Sequence, residues 1–200
     1  MSANGVVHLI DDDEDVRRAL AFLLGTAGHA VKVYESATLF LEKYDGSQAG
    51  CIVSDVRMPG MDGIQLLRRL QEMGVKLPVV VMTGHADVAL AVEAMKCGAV
   101  DFIEKPFSDE TLLAAIHAAL ACRPDRQTGG DAGQVRARLA ALTARERQVL
   151  DGLLAGHPNK TIAYDLGLSP RTVEVHRANV MTKMAASSLS ELVRMALTAG

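Results

Sequence analysis

Leu77-Pro-Val-Val-Val-Met-Thr-Gly84, with Phe102-Ile-Glu-Lys-Pro-Phe107 downstream, decides the fold. In each stretch a short apolar run breaks off at polar residues, and the pattern occurs twice more upstream. Val6-Val-His-Leu-Ile10 runs into Asp11, Asp12 and Asp13, and Cys51-Ile-Val53 runs into Ser54 and Asp55. Apolar runs this short, separated by helical patterns, read as buried strands of a parallel α/β sheet. Sites in such sheets lie outside the carboxyl ends of the strands. Asp11, Asp12, Asp55, Thr83 and Lys105 are therefore expected on one rim. Three carboxylates, a hydroxyl and an ammonium suit a divalent cation and a phosphoryl group.

Helical spacing fills the stretches between these strands. Glu14–Ala27 places Val16, Leu20, Leu23 and Leu24 on one face, and Gly28 stops it. Val31–Tyr34 alternates like a strand, and Ser36 is a cap for a helix with Leu39, Phe40 and Tyr44 inward. Met58-Pro-Gly-Met-Asp-Gly63 is a loop by composition, leading to Ile64, Leu66, Leu67 and Leu70. Asp87–Lys96 carries Val88, Ala91, Val92 and Met95, and Ser108 caps a last helix bearing Leu112, Leu113 and Ile116. The expectation is a doubly wound (βα)5 domain of three layers within about 120 residues.

Charge divides the 200 residues in two. Residues 1–122 hold 10 Lys+Arg against 17 Asp+Glu, a net of −7, while residues 123–200 hold 11 against 7, a net of +4. An acidic half joined to a mildly basic one points weakly to a nucleic-acid partner at the second. Cys51, Cys97 and Cys122 are odd in number and lack metal-ligand spacing, so they read as packing residues kept reduced in the cytoplasm. Val6–Ile10 meets five acidic residues, the wrong flank for a signal peptide. No apolar run is long enough to span a membrane.

The second half reads as helices only. Pro124–Gly133 has three glycines and no periodicity, a linker, with Gln134–Leu142 as its helical extension. Thr143-Ala-Arg-Glu146 has capping-box spacing, and its helix runs to about Ala155. Asn159–Leu166 is a short helix stopped at Gly167, and Ser169-Pro170 opens another that reaches Met184. Two residues join this pair, which has helix-turn-helix proportions, and Ser188–Ala199 follows. The expected division is 1–122, a linker over 123–138, and a small all-α domain over 139–200. On a helical wheel Val173, Val180 and Met184 form a core face. Arg171, Glu174, Val175, Ala178 and Thr182 lie opposite, small and lightly charged enough to approach a major-groove floor. Arg177, Asn179 and Lys183 flank that surface and suit phosphates.

The acidic residues separate by role. Asp13 and Asp15 cap and charge the first turn of a helix. Asp11, Asp12 and Asp55 offer hard oxygen ligands to Mg²⁺, because carboxylates brought together repel unless a cation neutralises them. A carboxylate beside Mg²⁺ can attack phosphorus to give an aspartyl-phosphate, with Lys105 and Thr83 on the transferred oxygens. Spacing alone does not separate a phosphoacceptor from a small phosphatase or phosphotransferase.

The chain resembles the response regulators of two-component signalling. The matching segments are Ile10-Asp-Asp12, Val53-Ser-Asp-Val-Arg-Met-Pro-Gly-Met-Asp-Gly63, Met82-Thr-Gly-His85 and Lys96-Cys-Gly-Ala-Val-Asp-Phe-Ile-Glu-Lys-Pro-Phe107. Leu142-Thr-Ala-Arg-Glu-Arg-Gln-Val-Leu150, Asn159-Lys160 and Ser169–Met184 resemble the LuxR-type output domain. Nearly end to end, the chain is similar to regulators of nitrogen-fixation and microaerobic respiration genes. The resemblance implies Asp55 as phosphoacceptor, with Thr83 and Lys105 on the phosphoryl group. It implies Mg²⁺ on Asp11, Asp12, Asp55 and the Arg57 backbone carbonyl, a cis Lys105-Pro106 bond, and Phe102 as a switch aromatic. It further implies a sensor histidine kinase, promoter DNA and RNA polymerase as partners. The resemblance also implies a homodimer that forms on phosphorylation through Asp87–Lys96 and Asp101–Ile103.

In the output domain the resemblance assigns DNA contact to Lys160, Arg171, Thr172, Glu174, Val175, Arg177, Ala178, Asn179 and Lys183, with Glu174, Val175 and Ala178 facing bases. After residue 140 there are seven basic residues against five acidic ones, so a lone output domain has few phosphate contacts and two joined ones bind better. A Mg²⁺-dependent aspartyl-phosphate phosphatase is the alternative from another class. It needs an acid near its nucleophile and a lid, whereas Val56-Arg57 follows Asp55 and no insertion supplies a cap. An adaptor with a protein-binding tail is the third reading.

Overall fold

The structure, a computed structural model, describes residues 5–84, 88–121 and 132–199. Asp87, Cys122 and the expected linker stretch 123–131 lie outside the described residues. The chain divides into two compact units, Met1–His85 with Cys97–Asp125, and Ala86–Lys96 with Arg126–Gly200.

Five strands, β1 (Val6–Ile10), β2 (Val31–Tyr34), β3 (Gly50–Asp55), β4 (Val79–Gly84) and β5 (Asp101–Lys105), form one parallel sheet in the order β2-β1-β3-β4-β5. Along the chain these strands alternate with the helices α1 (Glu14–Thr26), α2 (Ala37–Lys43), α3 (Gly63–Glu72), α4 (Val88–Lys96), which falls in the second unit, and α5 (Asp109–Ala121). The central strands β1, β3 and β4 are buried almost throughout, and the edge strands are not. A sheet covered on both faces needs apolar residues at successive positions, which is why the runs lack alternation. One layer of core joins Leu20 and Leu24 of α1 to Leu112, Ile116 and Ala119 of α5 over Val7, Leu9 and Val53. Ile64, Leu66, Leu67 and Leu70 of α3 are buried, and so are Ala91, Val92 and Met95 of α4. Strand order reverses between β1 and β3, so the crevice of a doubly wound sheet opens at Asp11 and Asp55.

Local chemistry sets the ends of the helices. Asp13 Oδ1 accepts from the backbone N–H groups of Asp15 and Val16, and Ser36 Oγ accepts from Leu39. Asp62 and Gln65 form a reciprocal capping box at the start of α3. Just inside that helix, a Cβ on Gly63 would stand 2.6 Å from the Asp55 carbonyl oxygen. Glycine therefore lets the loop after β3 fold back tightly against Asp55.

The second unit includes α6 (Ala132–Ala140), α7 (Ala144–Leu154), α8 (Asn159–Leu166), α9 (Pro170–Met184) and α10 (Leu189–Ala199). Their core gathers Val149, Leu150, Leu153, Ile162, Val173, Val180, Met184 and Leu192. The stretch from Ala132, expected as a partly helical linker, is a helix that adds buried Val135 to this core. Arg138 Nη1 also donates to the Met184 carbonyl at 2.9 Å, closing the end of α9. Gly167 takes the left-handed conformation (φ 64°) that ends α8, and Ser169 caps α9 through the Thr172 N–H.

Candidate functional site

At the carboxyl ends of β1, β3 and β5 three side chains meet. Lys105 Nζ donates to Asp11 Oδ2 at 2.8 Å and to Asp55 Oδ1 at 2.6 Å. Asp11 and Asp55 are 1% and 7% exposed, so both carboxylates have lost most of their water. Burial raises the Asp55 pKa; the hydrogen bond and charge of Lys105 oppose this, and the charge of Asp11 adds to it. Burial works against the ammonium of Lys105, but its hydrogen bonds to Asp11 and Asp55 outweigh that and raise its pKa. One cation thus serves two buried carboxylates, leaving a net negative charge.

Backbone groups fix the two acids. Asp55 Oδ2 accepts from the Arg57 N–H at 2.6 Å, and Ser54 Oγ donates to the Asp55 carbonyl. Asp11 Oδ1 accepts from the Asp13 N–H, and Arg17 Nη1 holds the Asp11 carbonyl at 2.7 Å. Thr83, buried at the end of β4, turns its hydroxyl to the Gly84 carbonyl at 3.3 Å, a long bond. Asp12 is exposed beside this group. Among the described residues no group of three His, Cys, Asp or Glu side chains is gathered closely enough to hold a metal as the structure stands; Asp11 and Asp55 meet as a buried pair, with exposed Asp12 next to Asp11 in sequence. Lys105-Pro106 is cis, as expected. Half-buried Phe102 lines a hollow with Lys105, Pro106, Phe107 and Thr111.

The second candidate surface is on α9. Val173, Val180 and Met184 are fully buried, and Arg171, Glu174, Val175, Ala178 and Thr182 are exposed, as the wheel predicts. Arg171, Glu174, Val175 and Ala178 line one shallow hollow, with Val175 55% exposed. Lys160 and Asn179 are exposed, and Arg177 is half-buried. Thr172 Oγ1 lies 2.8 Å from Ser169 Oγ and is occupied at the cap.

Lys183, expected at a phosphate, has an intramolecular partner. Its ammonium donates to Glu146 Oε2 at 2.7 Å and to the Ala141 carbonyl at 3.4 Å. Glu146 is buried, closes the capping box with Thr143, and is held down to a pKa of about 2 chiefly by the Lys183 hydrogen bond. Lys183 therefore ties α9 to the start of α7. The sequence signals the capping box but not this partner, because 37 residues separate the two and no periodicity links them. Arg17 is a similar case, since nothing in an amphipathic pattern announces a guanidinium reaching back to Asp11.

Two family models match the chain: a response regulator receiver domain over residues 7–117, and bacterial regulatory proteins of the luxR family over 140–196. The transcriptional regulatory protein FixJ of Azorhizobium caulinodans is 58% identical over 195 residues, 97% of this chain and 92% of that protein. FixJ of Bradyrhizobium diazoefficiens is 53% identical over 201 residues, 100% of this chain and 98% of that protein. A crystal structure of full-length FixJ from B. japonicum has 52% sequence identity and a TM-score of 0.59, covering 100% of this chain and 98% of that one.

Proposed function

This chain belongs to the FixJ-type two-component response regulators, a receiver joined to a LuxR-type DNA-binding domain, and we propose that phosphorylation of Asp55 by a sensor histidine kinase turns on its binding to promoter DNA. The observation that carries this reading is the buried Asp55 carboxylate, shared with Asp11 through one Lys105 ammonium. An Asp55 oxygen attacks the phosphorus of a phosphohistidine; the O–P bond forms, the N–P bond breaks, and the imidazole leaves with the electron pair. Lys105 then exchanges a carboxylate for phosphoryl oxygens, where its point charge follows the transferred group. Thr83, with only a long bond to the Gly84 carbonyl, turns its hydroxyl to the same group.

Receiver domains of this kind bind Mg²⁺, and the donor set fits: two buried carboxylates exceed the charge of one ammonium, with Asp12 exposed beside them. Asp11, Asp12, Asp55 and the Arg57 carbonyl would hold the ion, which supplies neutralising charge for the phosphoryl oxygens. The chain itself supplies the Asp55 nucleophile and the positioning of the phosphoryl group, and its chemistry is confined to its own phosphorylation and slow autodephosphorylation.

Added charge at Asp55 biases two packings of the receiver, with Thr83 drawn toward the phosphate and the Phe102 ring moving inward. Receivers then pair through the face of α4 and β5, two output domains engage two half-sites, and RNA polymerase is recruited. Val92 and Met95, expected partly for that face, are buried, so exposed positions of the same elements make the contact. The targets are genes of nitrogen fixation or microaerobic respiration, as the FixJ likeness suggests. The Glu174, Val175 and Ala178 surface reads bases, with Lys160, Arg171, Arg177 and Asn179 beside it.

A gel shift of the full chain on genomic fragments, with and without acetyl phosphate and Mg²⁺, tests this. Retardation at lower protein concentration after phosphorylation is expected. Identical binding in both conditions contradicts it.

A further inference from the structure

His29, in the turn between α1 and β2, and His117 on α5 lie at the end of α1, away from the acidic rim. Their ring centroids are 5.3 Å apart and their planes are inclined by 48°. His29 is only 7% exposed, yet neither of its ring nitrogens has a hydrogen-bond partner among the described residues. Buried polar atoms are nearly always paired, because the lost water is otherwise uncompensated. Burial, and then the neighbouring His117, lower the His29 pKa and keep the ring neutral, the form that offers a lone pair.

We propose that His29 and His117 together form a zinc-binding site that ties the α1–β2 turn to α5. The separation of the rings leaves room for a tetrahedral ion. With Zn–N bonds of about 2.0–2.1 Å, each ring centroid stands about 3.2 Å from the metal, and a tetrahedral angle sets the centroids about 5.2 Å apart. A right angle, as in square-planar or octahedral sites, needs about 4.5 Å. The observed 5.3 Å admits the tetrahedral span, although ordinary ring contacts such as Phe40–Tyr44 have the same separation, so the unpaired nitrogens of His29 carry the assignment. Among the described residues no third His, Cys, Asp or Glu joins the pair, so water completes an open, reversible site. His117 is exposed, and the ion enters over it from solvent. His8 Nε2 and His176 Nδ1 are also buried without a hydrogen-bond partner among the described residues, but neither ring packs against a second imidazole; His8 Nδ1 lies 3.1 Å from the Tyr34 hydroxyl, and His157 Nδ1 lies 3.8 Å from Asp165 Oδ2.

The test is calorimetric titration of the full chain with ZnCl₂ in excess Mg²⁺, which occupies the acidic rim. It is repeated on His117→Gln, a change at an exposed position that leaves the core intact, and on His157→Gln. Wild type and H157Q should bind one zinc ion per chain, with H117Q weaker by roughly tenfold or more. Zinc should raise the melting temperature of wild type and H157Q, and should not raise that of H117Q. No zinc uptake by wild type, equal affinity in H117Q, or loss of binding in H157Q alone overturns the assignment.

Discussion

Lys105 Nζ stands 2.6 Å from Asp55 Oδ1, joining the end of β5 to the end of β3 across 50 residues of sequence. The same ammonium also holds Asp11, so the first, third and fifth strands meet at one charge. Such a centre is undercompensated by construction, since two buried carboxylates share one cation. That imbalance ties folding to function: a group that accepts positive charge or donates hydrogen bonds here changes the electrostatics of three strands at once.

Neutralising Asp55 should therefore stabilise the receiver. Its pKa is raised, so the folded state binds the proton more tightly than the unfolded one. Stability is lost as pH rises from the ordinary carboxyl value of 3.8 through the raised value, and the loss persists at neutral pH. Asp55→Asn should gain on the order of 1 kcal/mol at pH 7, the scale on which poorly compensated buried charge costs stability. Urea unfolding from pH 7 to pH 3.5 measures this. The gain should shrink on acidification; a D55N protein less stable than wild type at pH 7 contradicts the assignment.

In the output domain the linkage has the opposite sign. Glu146 is lowered from 4.5 to about 2, so its contribution is fully present above pH 4.5 and is lost as pH falls through about 2. Hydrogen exchange of the α7 and α9 amides should quicken over that interval in wild type and show no such pH step in Glu146→Gln. Lys183→Met should quicken exchange in both helices already at neutral pH. Unchanged protection in that variant would show that the ion pair is only a surface contact.

On DNA, Glu174 and Val175 should alter sequence preference when replaced, each good base contact being worth about 1–3 kcal/mol of discrimination. Arg177→Ala should weaken all sequences alike and reduce the salt slope by about one unit. Lys183 should not follow Arg177, because its ammonium is bound to Glu146. Binding-site selection with each variant separates the cases: an unaltered motif in both E174A and V175A means that another surface reads the bases.

Much of this was legible from short-range pattern. The carboxyl ends of buried strands located Asp11, Asp55, Thr83 and Lys105, and the wheel separated Val173, Val180 and Met184 from Glu174, Val175 and Ala178. Caps at Asp13, Ser36, Thr143 and Ser169 followed from local hydrogen-bond chemistry. Contacts made only in three dimensions were not legible. Glu146 and Lys183 meet across two helices, Arg17 reaches back to the Asp11 carbonyl, and His29 faces His117 from a turn without any motif. The helix from Ala132 is legible only in part, because a glycine-rich lead-in precedes a segment in which, among the described residues, Val135 alone is buried and periodicity is slight.

The most direct measurement is acetyl phosphate labelling of the wild-type and Asp55→Asn chains, resolved on phosphate-affinity gels with Mg²⁺ and again in excess EDTA. The account predicts one phosphorylated species in wild type with Mg²⁺, and none in D55N or in EDTA. Full labelling of D55N, or labelling that survives chelation, would contradict it.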